Sequence, residues 1–181
     1  MRIVGGEARG RPLRPVPGST TRPTADRVRQ SLFDLLGQRM DRLAVLDLYA
    51  GTGALGLEAV SRGAASATLI EKDARACGVI FHNLETLGFS ARCEVIRGEL
   101  PEALGQLRGR KFDLVFSDPP YAQRAAQATV EALLAHDLLS SGARVVLEMD
   151  RRELALHLPR GLSQVDERRY GDTVVRVLSA P

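Results

Sequence analysis

Ala44-Val-Leu-Asp-Leu-Tyr-Ala-Gly-Thr-Gly-Ala-Leu-Gly56 joins a short apolar run to a glycine-rich turn. The run Ala44–Tyr49 reads as a buried strand. A helix follows the glycines and ends near Arg62, before Gly63. Gly51, Gly53 and Gly56 have the G-x-G-x-x-G spacing that lets a backbone approach a nucleotide at a helix N-terminus. Ala67–Ile70 forms a second strand that ends at Glu71, twenty residues after Gly51. A carboxylate there holds ribose hydroxyls. The pair specifies an adenosine-containing cofactor without saying which one.

Outward from this unit, strands and helices alternate. Asp73 suits a helix cap, and Ala76, Ile80, Leu84 and Leu87 form one stripe before Gly88. Arg92–Arg97 is a third strand, Pro101–Leu107 a short helix and Phe112–Ser117 a fourth strand. Gln123–Ala135 is helical and Arg144–Met149 is a fifth strand. Leu162–Arg169 and Thr173–Leu178, around Tyr170-Gly171-Asp172, read as a closing antiparallel hairpin. The pattern is α/β, a mostly parallel, doubly wound sheet.

The fourth strand runs into Asp118-Pro119-Pro120-Tyr121. Neither proline can donate to a ladder, so the chain leaves the sheet at its carboxyl end carrying a carboxylate and an aromatic ring. In doubly wound sheets strand order reverses between the first and fourth strands, and ligands bind in the crevice that opens there. The glycine loop and Asp118–Tyr121 should therefore face each other across one crevice, where cofactor and substrate would meet.

The first 42 residues read as a small amino-terminal extension, with residues 43–181 as the main domain. Pro12, Pro15, Pro17 and Pro23 punctuate two short extended segments, Arg2–Val4 and Pro12–Val16. Thr24 suits the cap of a helix whose Val28, Leu32, Leu35 and Leu36 dock on the domain, leaving Arg27 and Arg29 able to reach a ligand. Residues 1–30 hold seven arginines against Glu7 and Asp26, a net of +5, whereas the whole chain carries only +3. Such concentration on a near-neutral body is expected of a nucleic-acid contact surface. Arg9, Arg11, Arg14, Arg22 and Arg27, with Thr24, are the candidates. Cys77 and Cys93 have no metal-type spacing and imply no disulfide framework, and no metal is expected. No signal peptide and no apolar run long enough to span a membrane are evident, so a cytosolic protein is expected. Tyr49 and Phe33 are read as packing rather than as platforms for a base.

Asp47-Leu-Tyr-Ala-Gly-Thr-Gly53, Glu71 and Asp118-Pro-Pro-Tyr121, in this order, resemble the S-adenosylmethionine-dependent amino-methyltransferases with a Rossmann-like fold. Ile3-Val-Gly-Gly-Glu-Ala-Arg-Gly-Arg-Pro-Leu13 and Arg22-Pro-Thr-Ala-Asp-Arg-Val-Arg29 resemble the bacterial 16S rRNA (guanine(966)-N(2))-methyltransferase family. The resemblance implies S-adenosylmethionine as cofactor and 16S rRNA, the small ribosomal subunit or an assembly intermediate as partner, with the enzyme a monomer. It implies that Asp118, Pro119, Pro120 and Tyr121 form the catalytic motif, with Asp118 and the Pro119 carbonyl accepting hydrogens from an exocyclic amine and Tyr121 stacking on an extruded base. It places Asp47, Tyr49, Ala50, Gly51, Thr52, Gly53, Glu71 and Lys72 around the cofactor. Glu99 is either an adenine ligand or a surface acid.

Three other readings compete. An amino-methyltransferase acting on adenine would share Asp-Pro-Pro-Tyr, but the chain has no segment large enough for a DNA target-recognition domain. A nicotinamide-dependent oxidoreductase would use the glycine loop and leave Asp118–Tyr121 and the arginines unexplained. A non-catalytic RNA-binding protein would not need both loops intact.

Overall fold

The computed structural model describes residues 1–18, 23–119, 125–150 and 157–181, with residues 23–25 as backbone alone. In chain order the elements are α1 (Pro23–Leu36), β1 (Ala44–Leu48), α2 (Ala54–Ser61), β2 (Ser66–Glu71), α3 (Ala74–Leu87) and β3 (Cys93–Arg97). A 3-10 helix (Glu102–Leu107), β4 (Phe112–Ser117), α4 (Ala125–Ala135), β5 (Leu139–Asp150), β6 (Ser163–Tyr170) and β7 (Thr173–Ser179) follow. One seven-stranded sheet has the order β3-β2-β1-β4-β5-β7-β6. The pairs from β3 to β5 are parallel, and β7 is antiparallel to both β5 and β6. The chain steps outward from β1 to β3, then returns to lay β4 on the other side of β1. This is the reversal that the alternation of elements predicts, and it opens a crevice at the carboxyl ends of β1 and β4.

Both faces of the sheet are covered. Val45, Phe116, Val146 and Val175 point to one face and pack with Leu32 and Phe33 of α1, Leu57 and Val60 of α2, and Ile80 and Leu84 of α3. The alternate residues Leu46, Leu48, Val115, Val145 and Leu147 meet Leu104 and Leu107 of the 3-10 helix and Val130 and Leu133 of α4. Period-two strands sandwiched this way read as unbroken apolar runs. Each fully buried Leu, Val or Phe contributes about 1.5–3 kcal/mol relative to exposure. Phe33 and Phe116 add a tilted ring contact at 5.6 Å.

The segment before α1 is part of this body. Ile3 N donates to Arg11 O at 2.9 Å and Leu13 N to Met1 O at 3.1 Å, joining the two extended stretches. Ile3 and Leu13 are buried in the first core cluster. The turn between them closes over the end of α2. Glu7 N donates to Ser61 O at 2.7 Å and Ala8 N to Ser61 Oγ at 3.0 Å, while Ser61 Oγ donates to Gly5 O at 2.6 Å. Gly6 is obligatory here: its φ is +74°, and a Cβ would lie 1.8 Å from the Ser61 carbonyl oxygen.

Four points differ from the sequence reading: two element starts, one helix type and the burial of one arginine. α1 starts at Pro23, so Thr24 lies inside its first turn rather than at its cap; proline suits the first helical position because its missing N–H would have no partner there. The short helix after β3 is 3-10 rather than α. β5 begins five residues earlier than expected: Leu139 already pairs with Phe112, and the residues before Arg144 form an irregularity in the β4–β5 register between Phe112 and Leu114. Arg29 is buried rather than free to reach a ligand. Its guanidinium meets Asp26 Oδ1 at 2.9 Å and Glu58 Oε2 at 3.4 Å, and donates to Arg2 O. Among the described residues no helix is long and apolar enough to cross a membrane.

Candidate active site

Residues 49–53 turn the chain from β1 into α2. Tyr49 takes a left-handed φ of 60°, which costs a bulky side chain about 1–2 kcal/mol, and its hydroxyl is held by Thr129 Oγ1 at 3.0 Å. Ala50 N bonds Ile70 O at 3.0 Å and Gly53 N bonds Ala50 O at 2.7 Å. Gly53 caps α2 with φ 78° and has no side chain to satisfy the first-turn N–H groups. Asp47 supplies the missing acceptor from below: its Oδ2 takes the Gly56 N–H at 2.8 Å. The carboxyl is 2% exposed. Burial pushes it up to about 8, against the Gly56 hydrogen bond, with the charges of Asp118 and Glu71 adding to the rise. Asp47 thus braces the loop from behind and does not line the cleft.

The cleft at the switch point has a volume of about 410 Å³ and is lined by Tyr49, Glu71, Lys72, Glu99, Asp118, Pro119 and Glu148, among others. At one end the Glu71 carboxylate accepts Gly51 N at 2.8 Å, Lys72 N at 2.8 Å and Asp73 N at 2.9 Å. These three bonds fix its direction and leave about one of its four acceptor positions for a ligand. Beside it the exposed pair Lys72 Nζ and Glu99 Oε1 meet at 3.4 Å. At the other end stand two carboxyls. Asp118 opens onto the cleft but is walled in by protein, which pushes its carboxyl up to about 6. Glu148, half-buried on β5, is pushed up to about 7 by burial and by the charge of Asp118.

Behind the glycine loop, Asn83 of α3 is buried. Its amide donates to Thr52 O at 3.0 Å and to Arg14 O at 3.2 Å, and its carbonyl accepts Arg14 N at 2.8 Å. One side chain therefore ties the extension to the loop. Thr52 Oγ1 also reaches Met1 Sδ at 3.5 Å.

The chain matches, over residues 1–179, the family model described as conserved hypothetical protein 95. The chain belongs to that family. This member of the conserved hypothetical protein 95 family is similar to the Escherichia coli (strain K12) protein named ribosomal RNA small subunit methyltransferase D. The two are 37% identical over 178 residues, which cover 98% of this chain and 88% of the relative. It is similar to YlbH of Bacillus subtilis, a candidate rRNA methyltransferase by its description, at 33% identity over 98% of this chain and 97% of the relative. It also superposes with a TM-score of 0.88 on the solved structure of yhhF from Escherichia coli, described as a candidate methyltransferase, at 34% identity over 99% of this chain and 97% of that one.

Of the residues singled out in the sequence, Tyr49, Glu71, Lys72, Glu99, Asp118 and Pro119 share the cleft, and Gly51 abuts it through Glu71. Ala50 and Thr52 are buried in the turn, and Gly53 packs against Leu69 and Leu57. Arg9, Arg11, Arg14 and Arg27 are exposed on the extension and α1, with Arg11 donating to Thr86 O. Pro120, Tyr121 and Arg22, and the side chain of Thr24, lie outside the described residues. Sequence reading missed Glu148 and Asn83. For Glu148 a trace existed: in Arg144–Met149 it falls in phase with buried Val146, an acid on an inward position at the carboxyl end of a strand.

Proposed function

We propose that this chain transfers a methyl group from S-adenosylmethionine to the exocyclic N2 amine of a guanine in 16S rRNA, by resemblance guanine 966. The observation that supports it most is one cleft in which the Glu71 end, with the glycine loop behind it, is continuous with Asp118. The cleft's volume of about 410 Å³ lies within the roughly 300–1,000 Å³ usual for small-molecule sites. The residues fit the cofactor: Glu71, aimed by three backbone N–H groups, is a hydroxyl acceptor, and Lys72 and Glu99 flank it. Bound S-adenosylmethionine supplies a methyl group activated by its sulfonium.

The protein's part is orientation and charge. An aryl amine is a weak nucleophile because its lone pair is delocalised into the ring. Asp118 and the Pro119 carbonyl accept its two hydrogens, which turns the lone pair toward the cofactor and favours positive charge growing on nitrogen. The protein packed around Asp118 lowers the local dielectric and strengthens that interaction. The substrate is rRNA or a small-subunit assembly intermediate, the enzyme acts as a monomer, and its place of work is the cytoplasm. Arg9, Arg11, Arg14, Arg22 and Arg27 bind the RNA phosphates.

The direct test is nucleoside mass spectrometry of 16S rRNA incubated with and without the chain, with N2-methylguanosine as the expected product. For the cofactor, isothermal titration is expected to show binding of S-adenosylmethionine and no binding of NAD. Glu71→Ala is expected to weaken it by about 1.5–3 kcal/mol, the worth of a charged hydrogen bond. Tight NAD binding without S-adenosylmethionine binding would overturn the reading. For the RNA surface, replacing the five arginines together is expected to flatten the salt dependence of RNA binding. The log–log slope should fall by roughly 0.7 for each lost contact to a single strand, with cofactor affinity unchanged. Equal slopes for wild type and variant would move the RNA surface elsewhere.

A further inference from the structure

Glu148 lines the cleft and has no part in the transfer just described. Ser117 pairs with Leu147 in the parallel β4–β5 register, so Asp118, the first residue past β4, and Glu148, still within β5, stand side by side at the carboxyl end of β4. Their backbones are about 5 Å apart at that spacing. Both side chains open into the same cleft. Among the described residues nothing donates a hydrogen bond to either carboxyl. Glu148 is half-buried, and an acceptor without a donor there is costly in the free protein; a ligand that presents an N–H group beside the exposed Asp118 removes that cost.

Guanine presents such an edge. Its N2 amine and its N1–H are adjacent donors. Adenine presents an amine beside an unprotonated N1, whose lone pair would face a carboxylate and be repelled. We propose that Glu148 reads the target base by accepting the N1–H of the guanine whose N2 hydrogens Asp118 and Pro119 hold. The proposal rests on the guanine-N2 reading and deepens it: Asp118 would serve any aryl amine, and Glu148 makes the site selective for guanine. Bases taken out of the stack are read along this edge. Binding of the N1–H donor draws Glu148 into its ionised form, which its raised pKa of about 7 leaves only partly populated in the free protein at neutral pH.

The test uses the full chain, S-adenosylmethionine and small subunits reconstituted with guanine or 2-aminopurine at the target position. 2-Aminopurine keeps the N2 amine and lacks the N1–H. Wild type is expected to favour guanine by roughly 10- to 100-fold in kcat/KM, the range for one well-made base contact. Glu148→Gln should bring the ratio to within about threefold, chiefly by lowering the guanine rate, because an amide presents either a donor or an acceptor. Glu148→Asp, which keeps the charge, should retain a guanine preference. Cofactor affinity should not change in either variant. Equal loss on both bases in Glu148→Gln, or a guanine preference untouched by it, overturns the proposal. Absence of N2-methylguanosine with wild type, while S-adenosylmethionine still binds, overturns the guanine-N2 reading and the proposal with it.

Discussion

Alanine in place of Asp118 is expected to lower turnover by roughly 10²–10³-fold, the usual loss when one preorganised group aimed at developing charge is removed. The fold and the affinity for S-adenosylmethionine should persist. Asp118 stands at the opposite end of the cleft from Glu71 and takes no hydrogen bond from any described residue. Its effect belongs to kcat more than to KM, since its bond to the amine strengthens as charge grows on nitrogen. The same group sets the lower step of the acid limb of the pH profile. It must be ionised to accept the amine hydrogens, and burial holds it protonated up to about pH 6. kcat/KM, which reports the free enzyme, should therefore be full well above pH 7 and fall in two steps as pH drops, through about 7 as Glu148 takes up a proton and through about 6 as Asp118 does. Near-normal turnover by the alanine variant, or a profile flat from pH 8 to pH 5, would remove Asp118 from the mechanism.

Glu58→Ala is expected to cost about 3–5 kcal/mol of stability. Glu58 is fully buried on α2, and its two oxygens take Arg62 Nε at 2.8 Å, Arg29 Nε at 3.4 Å and Val4 N at 2.8 Å. Arg62 also lies over the Phe33 ring at 4.7 Å. Removing the carboxylate leaves two guanidiniums buried with less compensation and frees the backbone of the extension at Val4. Urea unfolding reads the loss as a lower midpoint. Limited proteolysis should find the amino-terminal residues cut first, because they lose their anchor before the sheet does. A change below about 1 kcal/mol would mean that water or rotation of the arginines replaces the carboxylate.

The parts of the fold legible in the sequence were those carried by local patterns. Asp73 caps α3 through Arg75 N at 2.7 Å, and Gly88 ends it in the left-handed region, both as the residues indicate. The glycine loop, Glu71 and Asp118 were legible because each sits at a strand end, and the topology of alternating elements brings strand ends together. What was hidden depends on partners distant in sequence. Arg29 looked like a surface cation among others, since nothing near it announces Glu58, a charged residue on the buried helix α2. Asp47 was grouped with the cofactor loop. Only the three-dimensional course of the turn shows that its carboxyl points to Gly56. Glu148 needed both the phase of β5 and its pairing with β4.

The three hydrogen bonds of Asn83 bear on how such enzymes can change their targets. They make the basic extension and the nucleotide loop neighbours through a single amide, with no spacer between them. A segment joined by a linker can be exchanged for another without touching the body it is attached to. This one cannot, because a foreign arm would have to bring a backbone that matches Arg14 or leave a buried amide without partners behind the loop. Recombination that swaps the first forty or so residues would therefore yield hybrids disturbed at the glycine loop, and, on the RNA role proposed for Arg9, Arg11 and Arg27, a change of target is reached more readily by point changes there than by trading the segment whole.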